Sequence, residues 1–548
     1  MPSPFEISDR LTEAYADLDP IFATIHGVAG REHLTTDYSP DGEVARTELF
    51  RSTRGELGEH LGHEDPIQRF ATEVVTGWLD TRLAEHEAGK WSWDLNHIDS
   101  PFQWMCDVFD VMDKNSDQGW SDIASRLEGF PVMLQGYQDS LRVGLSRGEV
   151  AARRQVESVM DQASEAAGDE SRFLGLLHEA ERAGRDTVQL TAAVQAVRAA
   201  CGEFAGFLRD SLLPMAAEAD GLGAERYRMG VERFIGADLD LEETYAWGWD
   251  EVHRLREEMV KTAAEVDPGK SLPEVIDMLE NDPARCAGTR DEFVSFVTAI
   301  QHQAISQLDG THFDLTPDMK RITVSIAPPG GPLGASYVGP SEDWQRAGSI
   351  WYVPGARASL PYWQEVSTAY HEGFPGHHLQ VCYALAERER LSRFQRMYVW
   401  YSGAGEGWAL YAERLMDELG YFEMPEYRLG LLASQLFRAT RVVVDIGNHL
   451  GYRIPDHAPL HAGEPWSYER AVDYMTHIGL QAPDVAESEV KRYLGWPAQA
   501  ISYKVGEREI LRIRSAAQSD PEFDLKTFHT RMLRAGAIRI DHLWKVMS

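Results

Sequence analysis

Apolar residues recur at helical spacing over most of the chain. From about Pro66 to Ile235 the pattern predicts a series of amphipathic helices. Ala151–Ala167 is one example, with apolar positions one turn apart and charges between them. The same periodicity continues through Leu241–Val266 and Arg290–Leu308. Residues 1–65 predict a short helix near Asp9–Asp17 and a loop rich in Gly, Asp and Thr. The period falls to two at Lys320–Pro354, where Ile322, Val324 and Ile326 alternate with Thr323 and Ser325 until Pro328-Pro329-Gly330-Gly331-Pro332 ends the run. Ser349–Val353 reads as a second short strand. Ser359-Leu360-Pro361 has the chemistry of a helix start, with proline at an early position, and that helix runs into His371. Helical character resumes over Leu379–Leu391 and persists beyond it, with turns at Gly420, Gly451–Pro455 and Gly495–Pro497. No self-similar period stands out. The expected architecture is mostly α with a small β-ribbon, divided into a helical N-terminal half (1–235) and a second half (236–548) as one integrated fold.

Composition narrows the function classes. In 548 residues, 43% hydrophobic and 26% charged positions describe a globular protein with ample core. The net charge of −34 argues against a nucleic-acid backbone or an anionic membrane surface as partner. Cys106, Cys201, Cys286 and Cys382 lie far apart without a C-x-x-C pair, which excludes a zinc ribbon and predicts reduced, buried thiols. The N-terminal residues lack the basic and apolar regions of a signal peptide, and no run has the apolar length of a membrane span. Together these features predict a cytoplasmic location.

One stretch concentrates chemistry: Tyr-His-Glu-Gly-Phe-Pro-Gly-His-His-Leu-Gln at 370–380. His371 followed by Glu372 matches the opening of a zinc-hydrolase helix, a ligand and then the carboxylate that takes a proton from the water activated by the metal. The usual second histidine comes one turn later, on the same face; here His377 and His378 follow at six and seven residues. In a regular helix His377 would point roughly 120° away from His371, and His378 would return to the face about 10 Å along the axis. Pro375 and Gly376 make a regular helix improbable. A local bulge that absorbs two residues would bring His377 into register, so His377 is taken as the ligand and His378 as the reserve.

A third ligand is offered by Ser402-Gly403-Ala404-Gly405-Glu406-Gly407-Trp408-Ala409-Leu410-Tyr411-Ala412-Glu413. Glu406 sits at a glycine-flanked helix start, 29 residues past His377. Glu413, two turns on along the same face, suits a hydrogen bond to a ligand histidine and is the reserve ligand. His449 and Tyr503 are candidate donors to the oxyanion of a tetrahedral transition state. Arg438, Arg441 and Lys504 are candidates to hold a substrate carboxylate. Each has a plainer reading as well: Asp445 and His449 are helical neighbours at i, i+4, and Tyr503 fits an amphipathic core position. An edge strand just before the histidine motif would suit main-chain binding of an extended peptide, or it would simply cap the helical core.

His-Glu-Gly-Phe-Pro-Gly-His-His-Leu-Gln followed by Glu-Gly-Trp-Ala-Leu-Tyr-Ala-Glu resembles the bacterial domain-of-unknown-function family 885. Val444-Asp445-Ile446-Gly447-Asn448-His449 and Pro497-Ala498-Gln499-Ala500-Ile501-Ser502-Tyr503-Lys504-Val505-Gly506 extend the match, so the strong motifs cover roughly residues 320–510. The resemblance implies a mostly helical zincin-like metallopeptidase fold, related in shape to the helical carboxypeptidases and oligopeptidases, with a deep cleft. It implies no substrate. The six-residue histidine spacing departs from the H-E-x-x-H of those peptidases. The expected function is a zinc-dependent metallohydrolase, a carboxypeptidase or oligopeptidase of short peptides. It would hold one Zn2+ on His371, His377 and Glu406, with Glu372 as base. A metal-dependent amidase acting on a small non-peptide molecule and a non-enzymatic helical binding protein are the alternatives.

Overall fold

The computed structural model describes residues 2–326, 334–354 and 359–548. These form two compact units: Met1–Leu222 with Ser392–Tyr398 and Leu494–Trp496, and Gly223–Leu391 with Val399–Tyr493 and Pro497–Ser548. Both are built mainly of helices. The four cysteines are buried and unbridged, and none of the described helices is long and apolar enough to cross a membrane.

In the first unit, local chemistry sets many of the helix starts. Ser3-Pro4, Asp19-Pro20, Ser39-Pro40 and Asp65-Pro66 each place a side-chain acceptor at the N-cap and proline in the first turn, which satisfies an orphan N–H and pre-sets φ. Pro4–Leu18 overruns the short helix expected near Asp9–Asp17 at both ends. Pro40–Gly58 is a 19-residue helix where a loop was expected. Its buried positions are Gly42, Thr47, Phe50, Thr53 and Leu57, so only two large apolar residues mark its inner face. The core gathers Ile123, Leu127, Phe130, Val159, Val197 and Phe204 from three further helices.

In the second unit, the helices Leu241–Val266 and Arg290–Leu308 match the ranges read from periodicity. Leu241–Val266 packs along Pro425–Leu450, and Ser402–Glu418 packs along Ser502–Ala517. The second pairing depends on glycine: a Cβ on Gly506 would lie 1.9 Å from the Gly403 carbonyl oxygen, and one on Gly407 would lie 2.6 Å from the Gly506 Cα. The two backbones therefore touch, which fixes the Glu406 helix against the helix that carries Tyr503. Lys504 fastens this layer from inside. Its ammonium, 1% exposed, bonds Glu507 at 2.6 Å, Gln435 at 2.8 Å and Glu251 at 3.1 Å.

The β-ribbon is a three-stranded sheet in which Gly348–Val353 lies between Ile322–Ile326, parallel to it, and Gly334–Val338, antiparallel. The Pro328–Pro332 stretch lies outside the described residues. Leu360–Pro361 does not open a helix: it pairs antiparallel with Cys286–Ala287, and the helix starts only at Glu365. A strand partner more than 70 residues upstream overrides the local proline signal.

Candidate metal centre

The helix that carries His371 is short, Glu365–Glu372, and it ends rather than bulging. Gly373-Phe374-Pro375-Gly376 follow, with a cis Phe374–Pro375 bond, and a new helix begins at His377 and runs to Ala386. The expectation of one bulged helix is thus corrected to two helices joined by a tight turn. Proline removes the N–H that would continue the first helix, and glycine is required where the turn folds back: a Cβ on Gly376 would sit 2.0 Å from the His371 carbonyl oxygen. Gln301, fully buried, clamps the turn. Its amide donates to the Ala369 carbonyl at 2.7 Å, and its oxygen accepts from the Phe374 N–H at 2.6 Å. The Trp408 indole donates to the Pro375 carbonyl at 3.0 Å.

This turn sets the His377 imidazole against that of His371, centroids 4.9 Å apart and nearly perpendicular. Glu406, on the helix Ser402–Glu418, completes the group: its Oε2 is 3.3 Å from His371 Nε2 and 3.2 Å from His377 Nε2. The three ligand atoms lie within 4.8 Å of one another. Oε2 is buried, yet it has no aligned hydrogen-bond donor among the described residues. Three atoms able to act as lone-pair donors converge here, which suits a cation. These two separations also match the edge of about 3.3–3.4 Å in a tetrahedron with ligand bonds of about 2.0–2.1 Å. The donor set of two imidazoles and one carboxylate fits zinc.

Glu413 backs the cluster. Its Oε1 accepts from His371 Nδ1 at 2.7 Å and its Oε2 accepts from Ser367 Oγ at 2.5 Å, with the carboxylate fully buried. A carboxylate can only accept here, so Nδ1 carries a proton, and in the neutral ring that a metal would bind the lone pair is on Nε2, facing Glu406. Burial disfavours the imidazolium, but Glu406 and Glu413 outweigh it and hold His371 up at about 9. Burial likewise opposes the Glu406 carboxylate, and the two histidines reverse the effect and hold it well below the usual range. Glu372, the last residue of the His371 helix, is half-buried and its carboxylate has no hydrogen-bond or ion-pair partner among the described residues. Trp400 lies 5.8 Å from His377, centroid to centroid.

His378 points elsewhere. One ring nitrogen meets the Met319 carbonyl at 2.8 Å and the other the Tyr337 hydroxyl at 2.9 Å, so the reserve ligand ties its helix to the sheet. His449 is also withdrawn. Its Nε2 donates to the Tyr493 carbonyl at 3.0 Å, and burial pushes its pKa down to about 4; a neutral imidazole has a single N–H, and this one is spent away from the three-residue cluster. Lys504, with three donors and three acceptors already on it, has none left for a substrate carboxylate. Tyr503 stays near: its ring stacks on His371 at 6.1 Å, with Arg441 at 4.6 Å and Arg438 at 5.9 Å over its face.

The structure therefore brings together His371, His377 and Glu406, with Glu413 and Tyr503 against His371 and Glu372 next to it in the chain, and sets His378, His449 and Lys504 apart. Gln301, Ser367 and Trp400 escape sequence reading because isolated polar or aromatic residues carry no spacing signal. Glu489 and Tyr493 accept from Arg441 and Arg492 reaches the Tyr503 hydroxyl, and their one-turn spacing is a signal that was available.

A crystal structure of a candidate lipoprotein from Colwellia psychrerythraea superposes with a TM-score of 0.86 at 22% identity, covering 100% of this chain and 99% of that one. A candidate lipoprotein of unknown function from Shewanella oneidensis gives 0.75 at 19%, with both chains covered completely. No curated protein matches the chain. The model of a bacterial protein family of unknown function, DUF885, matches residues 20–547, and the chain belongs to that family.

Proposed function

We propose that the chain is a zincin-like, zinc-dependent metallohydrolase that cleaves amide bonds in short peptides. The observation that carries this reading is the convergence of His371 Nε2, His377 Nε2 and Glu406 Oε2, with Glu372 directly after His371 in the chain and its carboxylate without a partner among the described residues. A zinc ion bound there supplies Lewis acidity, which makes water acidic near neutrality and polarises a carbonyl. Glu372 accepts the proton of the attacking water and returns it to the leaving amine, the role of a positioned general base and acid. Glu413 keeps His371 in the tautomer whose lone pair faces the cluster. To Tyr503, whose ring stacks on His371, we assign the donation to the oxyanion. The strand Gly334–Val338 has a single strand partner among the described residues, and its free side suits an extended substrate.

Elemental analysis of protein purified without chelator tests the metal: near-stoichiometric zinc is expected in wild type and its loss in His371→Ala. Glu372→Gln should retain zinc and lose hydrolysis of short peptides by a factor of at least about 100. No metal in the wild type, even after reconstitution, would leave a helical binding protein as the better account. The unbridged cysteines suit a reducing compartment, and we place the protein in the cytoplasm. The similar structures are of candidate lipoproteins, so recovery in an envelope fraction of the native host would move it.

A further inference from the structure

One group beside the candidate metal centre has unused binding capacity. Arg441, on the helix Pro425–Leu450, is 5% exposed. Its Nε donates to the Tyr493 hydroxyl at 3.0 Å and one terminal nitrogen donates to Glu489 at 2.7 Å. The other terminal nitrogen, Nη1, is buried with no partner among the described residues. Among the described residues Arg438, one turn earlier, bonds only its own helix at Ser434, and its Nε is a second buried donor without an acceptor. No carboxylate among the described residues pairs with Arg438. A buried guanidinium donor left unsatisfied is costly, and two of them over the same tyrosine ring describe a place made for an anion.

The anion's distance from the cluster follows from the stacking. Arg441 lies 4.6 Å from the Tyr503 ring and that ring 6.1 Å from His371, so the two steps bound the guanidinium–imidazole separation at about 11 Å. One extended residue spans about 3.5 Å, and a contact of about 3 Å at each end takes up most of the rest. With the separation at or below that limit, the peptide bond one residue upstream of a carboxylate held on Arg441 is within reach of His371, His377 and Glu406. A planar guanidinium is also the side chain best matched to a carboxylate.

We propose that Arg441, with Arg438 beside it, anchors the C-terminal carboxylate of the substrate, so that the chain removes single residues from peptide C-termini. The exo-cleavage half of this assignment rests on the hydrolase reading; the anion site does not. The experiment titrates N-acetyl-Ala-Ala, its C-terminal amide and N-acetyl-Ala-Glu-amide into full-length protein by calorimetry, without metal and with zinc, and then follows cleavage of each. The free acid should bind at least about tenfold more tightly than the amide and be cleaved preferentially, in keeping with a charge-assisted hydrogen bond. Arg441→Met and Arg438→Gln should each erode that preference. Arg438→Gln breaks no ion pair, so it reports even if Arg441→Met fails to fold. Equal binding of acid and amide by the wild type, or preference retained in both variants, overturns the proposal. Acid-selective binding with no cleavage of any peptide keeps the anion site and removes the hydrolase reading. Cleavage of acid and amide alike does the reverse. Tight binding of the Glu-amide moves the carboxylate from the terminus to a side chain and overturns exo-cleavage.

Discussion

His371 Nδ1 lies 2.7 Å from Glu413 Oε1, and Glu413 is the more deeply buried of the two. That carboxylate has a second bond, from Ser367, so its orientation is fixed from both sides and it in turn fixes the imidazole ring. Such a partner raises the basicity of the facing nitrogen and selects its tautomer. Glu413→Gln keeps an acceptor in place but removes the charge. Zinc affinity, measured by competition with a chromogenic chelator, should fall by about 10–100-fold. Unchanged affinity would mean that Glu413 serves packing alone.

His377 and His378 are adjacent in sequence and opposite in role. His377→Ala removes one of three converging donors and should abolish stoichiometric zinc. His378→Ala leaves the Met319 carbonyl without the ring N–H it accepts from and takes the imidazole from the Tyr337 hydroxyl, so it should retain zinc and cost about 1–3 kcal/mol of stability. Metal content and chemical denaturation of the two variants separate these outcomes. The reverse pattern would show that the second helix rotates by one residue when metal binds.

The turn between the two histidines is equally specific. Gly376→Ala would push a methyl group to 2.0 Å from the His371 carbonyl and 2.3 Å from that of Tyr370. Backbone cannot yield as a flexible side chain can, so a loss of about 1–3 kcal/mol is expected, along with weaker zinc binding as His377 is displaced. A variant as stable as wild type, with zinc affinity intact, would mean that the turn relaxes.

What could be read from sequence follows from how local each signal is. Leu241–Val266 and Arg290–Leu308 carry their periodicity within themselves, and their ranges match. His371, Glu372 and Glu406 stand out because residue type and spacing both point to a metal. Pro40–Gly58 was hidden because threonine and glycine occupy much of its buried face. Leu360–Pro361 was misread because its partner, Cys286–Ala287, is remote. Choosing between His377 and His378 needed the turn geometry, and that geometry depends on Gln301, a residue with no signature at all. Lys504 and Arg441 looked alike as cations; only the packing shows that one is saturated and the other has a donor to spare.

Proton linkage gives a prediction with two flanks. Burial pushes His26, His378 and His449 down to about 4 and His529 to about 3. The unfolded chain holds them near 6.5, so below that value it binds more protons than the folded protein and stability falls as pH drops from about 6.5 towards 4. Each unit of difference is worth about 1.4 kcal/mol per histidine. His371 behaves oppositely: raised to about 9 by its two carboxylates, it contributes stability below 6.5 that is lost as pH rises towards 9. Metal-free protein should therefore melt highest near pH 6.5, with a shallow alkaline decline from one histidine and a steeper acid decline from four. Zinc needs the His371 lone pair and displaces that proton, so loading should remove the alkaline decline and leave the acid one. Thermal melts from pH 4.5 to 9.5, with and without zinc, measure both flanks. An alkaline flank unaffected by zinc would detach His371 from the metal, and a missing acid flank would show that the buried histidines become solvated before the chain unfolds.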